Sequence, residues 1–230
     1  VIDLNTYIDA FKKIGIDLTK SQQIQFKKYY EILVEWNKKI NLTAITDELE
    51  VYHKHFLDSV YLSKIVSLAD QTLLDVGSGA GFPSLPLKII YPHLNITIID
   101  ALSKRIKFLE YLTNKIGIDV TLIHGRIEEY PNKESYDIVT ARAVANLNML
   151  SELCIPFVKK EGFFITPKGS NYQQEIDDSM VALKELGVKQ KEVYIYDILG
   201  VEHALIKFEK VKETPKKYPR KFKKIKSKPL

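Results

Sequence analysis

Apolar residues recur at helical spacing through the first seventy positions and in short strand-like runs through most of the remainder. Leu4, Ile8, Phe11 and Ile14 share one helical face. Thr19 and Gln22 have the spacing of a capping box opening a second helix, which carries Ile24, Phe26, Tyr30, Leu33 and Val34. A third helical stretch runs from about 47 to 66, so residues 1–70 are expected to form an all-helical cap. After Gln71 the pattern changes. Apolar runs at 72–76, 96–100, 120–124, 136–140 and 162–166 alternate with helical stretches, as expected for βαβ units building a mostly parallel sheet with helices on both faces. Two later β-rich runs, 189–196 and 203–210, are close enough to pair as an antiparallel hairpin at the sheet edge. The expected fold is α/β and Rossmann-like: a helical cap at 1–70, a sheet domain at 71–211 and a tail at 212–230, with no internal repeat.

Composition narrows the class. The 230 residues are 45% hydrophobic and 27% charged, enough for one substantial core and far from a disordered composition. No apolar run is long enough to span a bilayer, and the first residues lack a signal peptide's apolar run and small-residue cleavage site. The expectation is a cytoplasmic monomer. Cys154 is the single cysteine, which excludes an intrachain disulfide and a cysteine zinc cluster and reads as a small buried residue of a helix. Charge is unevenly spread. Residues 212–230 hold nine Lys or Arg against Glu213 alone, whereas the rest of the chain is slightly acidic. Pro215, Pro219 and Pro229 argue against a continuous helix there, and Tyr218 and Phe222 offer stacking faces. A flexible basic arm for a polyanion is expected, with a solubilising terminus as the plainer reading; the absence of a helical apolar stripe argues against a membrane surface.

The most informative segment is LLDVGSGAGF, residues 73–82, which places Asp75 and then Gly77, Gly79 and Gly81 between a strand and a helix expected to begin at Pro83. Glycines suit a tight turn to which a ligand approaches closely. Nineteen residues beyond Gly81 the second strand ends in Asp100, placed to accept from both hydroxyls of a ribose. A nucleoside-containing cofactor follows. Dinucleotide sites usually show G-x-G-x-x-G facing a pyrophosphate, whereas the spacing here is G-x-G-x-G behind an acid, and Asp75 would sit badly beside a pyrophosphate. The segment resembles the glycine-rich motif of class I S-adenosylmethionine methyltransferases, with Asp100 resembling their ribose acid and Gly125-Arg126-Ile127-Glu128 the segment that meets the adenine.

Methyl transfer from a sulfonium is chiefly a positioning task, so few catalytic side chains are required. The Asn/Asp-Pro-Pro-aromatic segment expected for an exocyclic amine is replaced after the fourth strand by Thr140-Ala141-Arg142-Ala143, and Cys154 lacks the setting of a pyrimidine-carbon nucleophile. A ring nitrogen such as guanine N7 needs neither and loses no proton on methylation.

NLTAI (41–45), HFLDSV (55–60), LLDVGSGAGFPSLPLKI (73–89), DALSKRIKFL (100–109), IVTARAV (138–144) and PKG (167–169) together resemble the bacterial glucose-inhibited division protein B family, small-subunit ribosomal RNA guanine-N7 methyltransferases. The resemblance extends from about Asn37 to the end, where TPKKYPRK is similar to Gram-positive members. It implies S-adenosylmethionine as cofactor, 16S rRNA or the small ribosomal subunit as partner, no metal, and cofactor contacts at Gly77, Phe82, Ile127, Glu128 and Arg142. The stretch Ala145-Asn146-Leu147-Asn148 departs from the more basic pattern expected there.

Arg142 and Lys168, each following a strand, are the candidates for the catalytic positions, Lys168 as a contact to an RNA phosphate or else a solvated lysine. Arg126 binds RNA or is merely exposed. Asn41, His53, His55 and Asp58 are read as structural hydrogen-bonding or capping residues, His53 and His55 being too poorly supported by other ligands to suggest a metal. Two rivals stand beside the methyltransferase: a nicotinamide enzyme, separable by titrating S-adenosylhomocysteine against NAD, and a noncatalytic RNA-binding module retaining a cofactor pocket.

Overall fold

The computed structural model describes residues 4–142 and 145–230; Val1–Asp3, the side chains of Leu4 and Asn5, and Ala143 and Val144 at the end of IVTARAV lie outside the described residues. The cap comprises α1 (Leu4–Lys13), α2 (Lys20–Asn37) and an irregular helix made of α3 (Glu48–Val51), a π-helical segment (Tyr52–Leu57), α4 (Asp58–Val60) and a 3-10 turn (Tyr61–Lys64). The Thr19 capping box is formed, with the Thr19 hydroxyl accepting from Gln22 N and the Gln22 side chain accepting from Thr19 N. The apolar spacing predicts one uniform helix over 47–66. The π-helical turn departs from it because Tyr52, His53, His55, Phe56 and Leu57 are all buried, a face wider than an α-helical stripe supplies.

The sheet follows as β1 (Thr72–Val76), α5 (Ser84–Ile90), β2 (Asn95–Asp100), α6 (Ser103–Ile116), β3 (Thr121–His124), β4 (Tyr136–Thr140), α7 (Leu147–Cys154), β5 (Val158–Lys168), α8 (Tyr172–Leu186), β6 (Val188–Ile198), β7 (Val201–Lys210) and a short α9 (Phe222–Ser227). Strand order is β3-β2-β1-β4-β5-β7-β6, parallel from β1 to β5, with β7 antiparallel to both β5 and β6. The Rossmann-like α/β architecture and its edge hairpin are therefore as read from the sequence. Alternation explains the layering. Leu73 faces a core built with the cap, α5 and α6, whereas its neighbour Leu74 faces one built with α7, α8 and the C-terminal segment. Cys154 is fully buried at the end of α7, where burial pushes its thiol up.

One expectation is overturned. Residues 212–230 are docked: Tyr218 and Ile225 are buried in the second core, and Arg220 pairs with the fully buried Glu152 of α7. The lysine density hid a three-residue apolar anchor, Tyr218, Phe222 and Ile225, while Pro219 and Pro229 flank the short α9 rather than forbid it. Among the described residues no helix is long and apolar enough to cross a membrane.

Candidate functional site

The loop from Gly77 to Phe82 leaves β1 at the carboxyl edge of the parallel strands, where open α/β sheets bind ligands. Gly77, Gly79 and Gly81 have φ of 71°, 62° and 96°, in the left-handed region that glycine enters without penalty. Their roles differ. A Cβ on Gly81 would lie 2.6 Å from Leu85 Cδ1 and 2.7 Å from the Tyr29 hydroxyl, so that glycine serves close packing, whereas a Cβ on Gly79 would meet nothing within 4 Å. The cap holds the loop directly: Tyr29 OH donates to Ala80 O at 2.5 Å, and the Tyr29 and Phe82 rings stack at 5.5 Å.

Asp75 is fully buried and accepts from Ser84 Oγ at 2.6 Å. The motif alone places it against the glycine loop; in the structure it ties β1 to the first turn of α5. Burial raises its carboxyl to about 7. Asp100 accepts from Leu102 N at 2.9 Å through Oδ1, while Oδ2 stands 3.4 Å from both Gly79 N and Arg105 Nη1.

Gly77, Gly79, Phe82 and Arg142 line one cleft of about 410 Å³, together with Thr43 and His55. Arg142, His55 and Asp58 line a second, of about 400 Å³, with Lys54, Lys168 and His203. Arg142 and His55 are thus the wall between them. The guanidinium lies 4.8 Å from the Phe82 ring centre, donates to Asp58 Oδ2 at 3.0 Å through Nη1 and sets Nη2 3.2 Å from His55 Nδ1. Burial and the neighbouring guanidinium lower His55 to about 3, so the ring is neutral. Nδ1 also lies 3.1 Å from Lys54 O, and Nε2 is 2.8 Å from the Thr43 hydroxyl, so the ring is held at both nitrogens. The Asn37 side chain in turn accepts from Leu42 N and Thr43 N and donates to Thr43 O. Asp58 Oδ1 accepts from Tyr196 OH at 2.7 Å and lies 3.8 Å from His203 Nδ1.

The remaining expected residues are dispersed. Ile127 is buried in the second core, and Glu128, in the 3-10 turn after β3, accepts from Phe222 N at 3.4 Å; neither lines the two clefts. Lys168 is not a solvated lysine: it donates to Glu175 at 2.8 Å and to Ala145 O at 3.1 Å, at the margin of the second cleft. Arg126 is exposed. His53 is buried, and among the described residues no three His, Cys, Asp or Glu side chains gather as a metal site. Sequence pattern alone does not single out Asn37, Tyr29, Tyr196 or His203. Asn37 and Tyr29 look like ordinary helix residues, and the other two lie on the hairpin, 138 residues from Asp58 in the case of Tyr196.

The cleft fits a nucleoside cofactor with a cationic aminoacyl end. Asp75 Oδ1, Ser78 Oγ and Thr140 Oγ1 are buried without a hydrogen-bond partner, and Asp75 and Thr140 are paired in register between β1 and β4 beneath the loop. Above Gly79 there is open space, with the Asp100 carboxylate behind it. Asp100→Ala is expected to weaken S-adenosylhomocysteine binding by about 1 to 3 kcal/mol, the cost of losing charge-assisted acceptors. Isothermal calorimetry checks this, and an effect near zero would leave Asp100 as a strand-end residue that merely caps Leu102.

A family model described as rRNA small subunit methyltransferase G (GidB) matches residues 22–199. A relative called ribosomal RNA small subunit methyltransferase G, from Lysinibacillus sphaericus (strain C3-41), is 50% identical over 224 residues, covering 94% of each chain. Among solved structures, a SAM dependent methyltransferase from Aquifex aeolicus superposes with TM-score 0.56 at 16% identity, over 77% of this chain and 98% of that one. M. jannaschii TYW2, solved in complex with AdoMet, gives TM-score 0.55 at 17% identity, over 66% of this chain and 76% of that one. These two likenesses concern the fold.

Proposed function

Since the chain belongs to the rRNA small subunit methyltransferase G family, we propose that it binds S-adenosylmethionine over the glycine loop in the first cleft and admits its acceptor, a guanine presenting N7, through the second. It is an S-adenosylmethionine-dependent methyltransferase acting on small-subunit ribosomal RNA. The observation that carries the division of labour is the wall of Arg142 and His55 shared by two clefts, one lined by the glycine loop and the other flanked by Lys54 and Lys168.

When bound, S-adenosylmethionine supplies an already activated methyl group. The chain's own residues then have three tasks. Gly77, Gly79 and Phe82 receive the cofactor, Asp100 accepts from its ribose, and Ile127 and Glu128 shape the loop on the adenine side. Arg142, held over the Phe82 ring by Asp58 and His55, fixes the approach of the base. Lys168, anchored by Glu175, carries positive charge to the margin of the acceptor cleft, where a phosphate of the target strand passes. Guanine N7 attacks with its own lone pair and gives up no proton, so a neutral His55 and the lack of a free carboxylate base among the described residues of the second cleft are chemically adequate. Asp58, the acid that does line it, is engaged by Arg142 and Tyr196. A ribosomal RNA substrate suits a cytoplasmic location.

The test is incubation with labelled S-adenosylmethionine and small ribosomal subunits from a strain lacking the gene, followed by mapping of the modified nucleotide. The expected result is one methyl per subunit at a guanine N7, revealed by aniline-catalysed strand scission at 7-methylguanosine after borohydride reduction. Label in an exocyclic amine or a pyrimidine carbon would overturn the reading of the acceptor. Absence of label with S-adenosylhomocysteine still bound would favour the noncatalytic RNA-binding module.

A further inference from the structure

We propose that the basic C-terminal segment is a fixed platform that grips the phosphate backbone of folded RNA beside the cofactor edge of the sheet, latched there by Arg220 and Glu152. The course of the chain places it. Strand β7 ends at Lys210, at the edge where the parallel strands begin, and Thr214 N donates to Glu134 just before β4. From there the chain climbs across the α7 and α8 layer: Lys133 Nζ donates to Tyr218 O at 2.6 Å, Tyr218 OH donates to Glu185, and Phe222 N meets Glu128 beyond the end of β3. The segment thus runs from the edge opposite the site along α7 to Glu128, in the turn that follows the carboxyl end of β3, and Lys228 O folds back to accept from Arg220 Nη2 at 3.1 Å.

Its fixing is specific. Glu152 is completely buried, and both its oxygens are taken by Arg220, through Nε at 2.7 Å, Nη2 at 2.6 Å and backbone N at 2.9 Å. A buried carboxylate answered by a bidentate guanidinium locks direction as well as position. Tyr218 and Ile225 add apolar anchorage. What remains facing outward is charge: Lys216, Lys217, Lys221, Lys223, Lys224, Lys226 and Lys228 are all exposed, and among the described residues only Lys217 of these is in an ion pair, with Glu185. A merely solubilising terminus has no use for a buried latch. A membrane surface would call for apolar side chains facing out, whereas Tyr218, Phe222 and Ile225 are turned toward the core. Phosphates of a structured RNA match closely spaced cations held at fixed positions.

This rests on the RNA substrate given above, and the experiment keeps the two readings apart. The protein would carry either Lys221, Lys223, Lys224, Lys226 and Lys228 all changed to Gln, or Arg220→Ala. Small subunits lacking the modification would be bound at several salt concentrations, alongside S-adenosylhomocysteine titration and limited trypsin digestion. The glutamine variant should bind S-adenosylhomocysteine as the parent does, weaken about tenfold or more in subunit affinity, and show a salt dependence shallower by roughly 0.7 to 0.9 in log–log slope for each phosphate it no longer neutralises. Arg220→Ala removes one charge that is already engaged, so it should open the segment to trypsin and lower subunit affinity several-fold with little change of slope. Parent-like affinity and slope in the glutamine variant would overturn RNA binding by the platform, and transfer of that charge-dependent binding to phosphatidylserine vesicles would assign the face to a membrane. Faster trypsin cleavage of Arg220→Ala with undiminished affinity would show a free arm, and unchanged cleavage would show no latch. Should Arg220→Ala not fold, the glutamine variant decides alone. Subunit binding by the parent without methylation would defeat the proposed function and leave the platform standing.

Discussion

Gly79→Val is expected to abolish binding of S-adenosylhomocysteine while leaving the protein folded. The side chain has room in the protein itself, since nothing lies within 4 Å of a Cβ at this position. The fold therefore pays only for a branched residue at φ 62°, about 1 to 3 kcal/mol, which for a chain of this size lowers Tm by several degrees. The same space lines the first cleft, so filling it should cost the cofactor affinity entirely. Gly79→Asn separates the two causes. Asparagine enters the left-handed region readily, so backbone strain largely disappears while the steric block remains. The expected pattern is no measurable titration with either variant and a Tm closer to the parent's for asparagine. Gly81→Val is the contrasting case, because its Cβ would press on Leu85 and Tyr29 and the loss should be of folding. Retained affinity in both Gly79 variants would move the cofactor off this loop.

The parallel part of the sheet was legible because β1 to β4 are short apolar runs bounded by turn residues, and the hairpin because its two runs are too close together for a crossover helix. The glycine loop was legible for a different reason: glycines at alternate positions leave a gap in side-chain volume that a strand-to-helix turn rarely needs. Contacts between distant residues were not legible. Nothing local marks Tyr29, buried in α2, as the donor to Ala80 O, or Asn37 as the side chain that shapes the loop before Thr43. Asp58 and His55 stand out within HFLDSV, yet a capping or structural role is the natural reading of polar residues on a helix. Their tie to Arg142, 84 and 87 residues away, exists only once the cap folds over the strand ends. The C-terminal segment misleads for a compositional reason. Nine cations and three prolines outweigh Tyr218 and Ile225 in the composition, although the burial of those two side chains and the pairing of Arg220 with Glu152 help to dock the segment.

Arg142→Ala is expected to lower turnover by on the order of 100-fold, the loss that follows when an acceptor is held about an ångström out of line. The guanidinium reaches three partners from one position: the Asp58 carboxylate, the neutral His55 ring and the Phe82 face. That fork is why Arg142→Lys should recover little, since a single ammonium lacks the two guanidinium nitrogens that reach Asp58 and His55. Asp58→Asn is the informative companion. It keeps an acceptor for the Tyr196 hydroxyl but takes away the charge that orients Arg142, so turnover should fall about tenfold or more with KM for subunits little changed. If Asp58 works through Arg142, the double variant should be no slower than Arg142→Ala alone, giving a coupling energy of roughly 1 kcal/mol or more. Single-turnover methylation of small subunits at saturating cofactor measures all four proteins, with thermal melts alongside to separate loss of rate from loss of fold. Additive effects would show that Asp58 supports the cap independently. A lowered Tm with full turnover per folded molecule in Arg142→Ala would reduce the residue to a tie between cap and sheet, and would leave the wall between the two clefts without a part in the transfer.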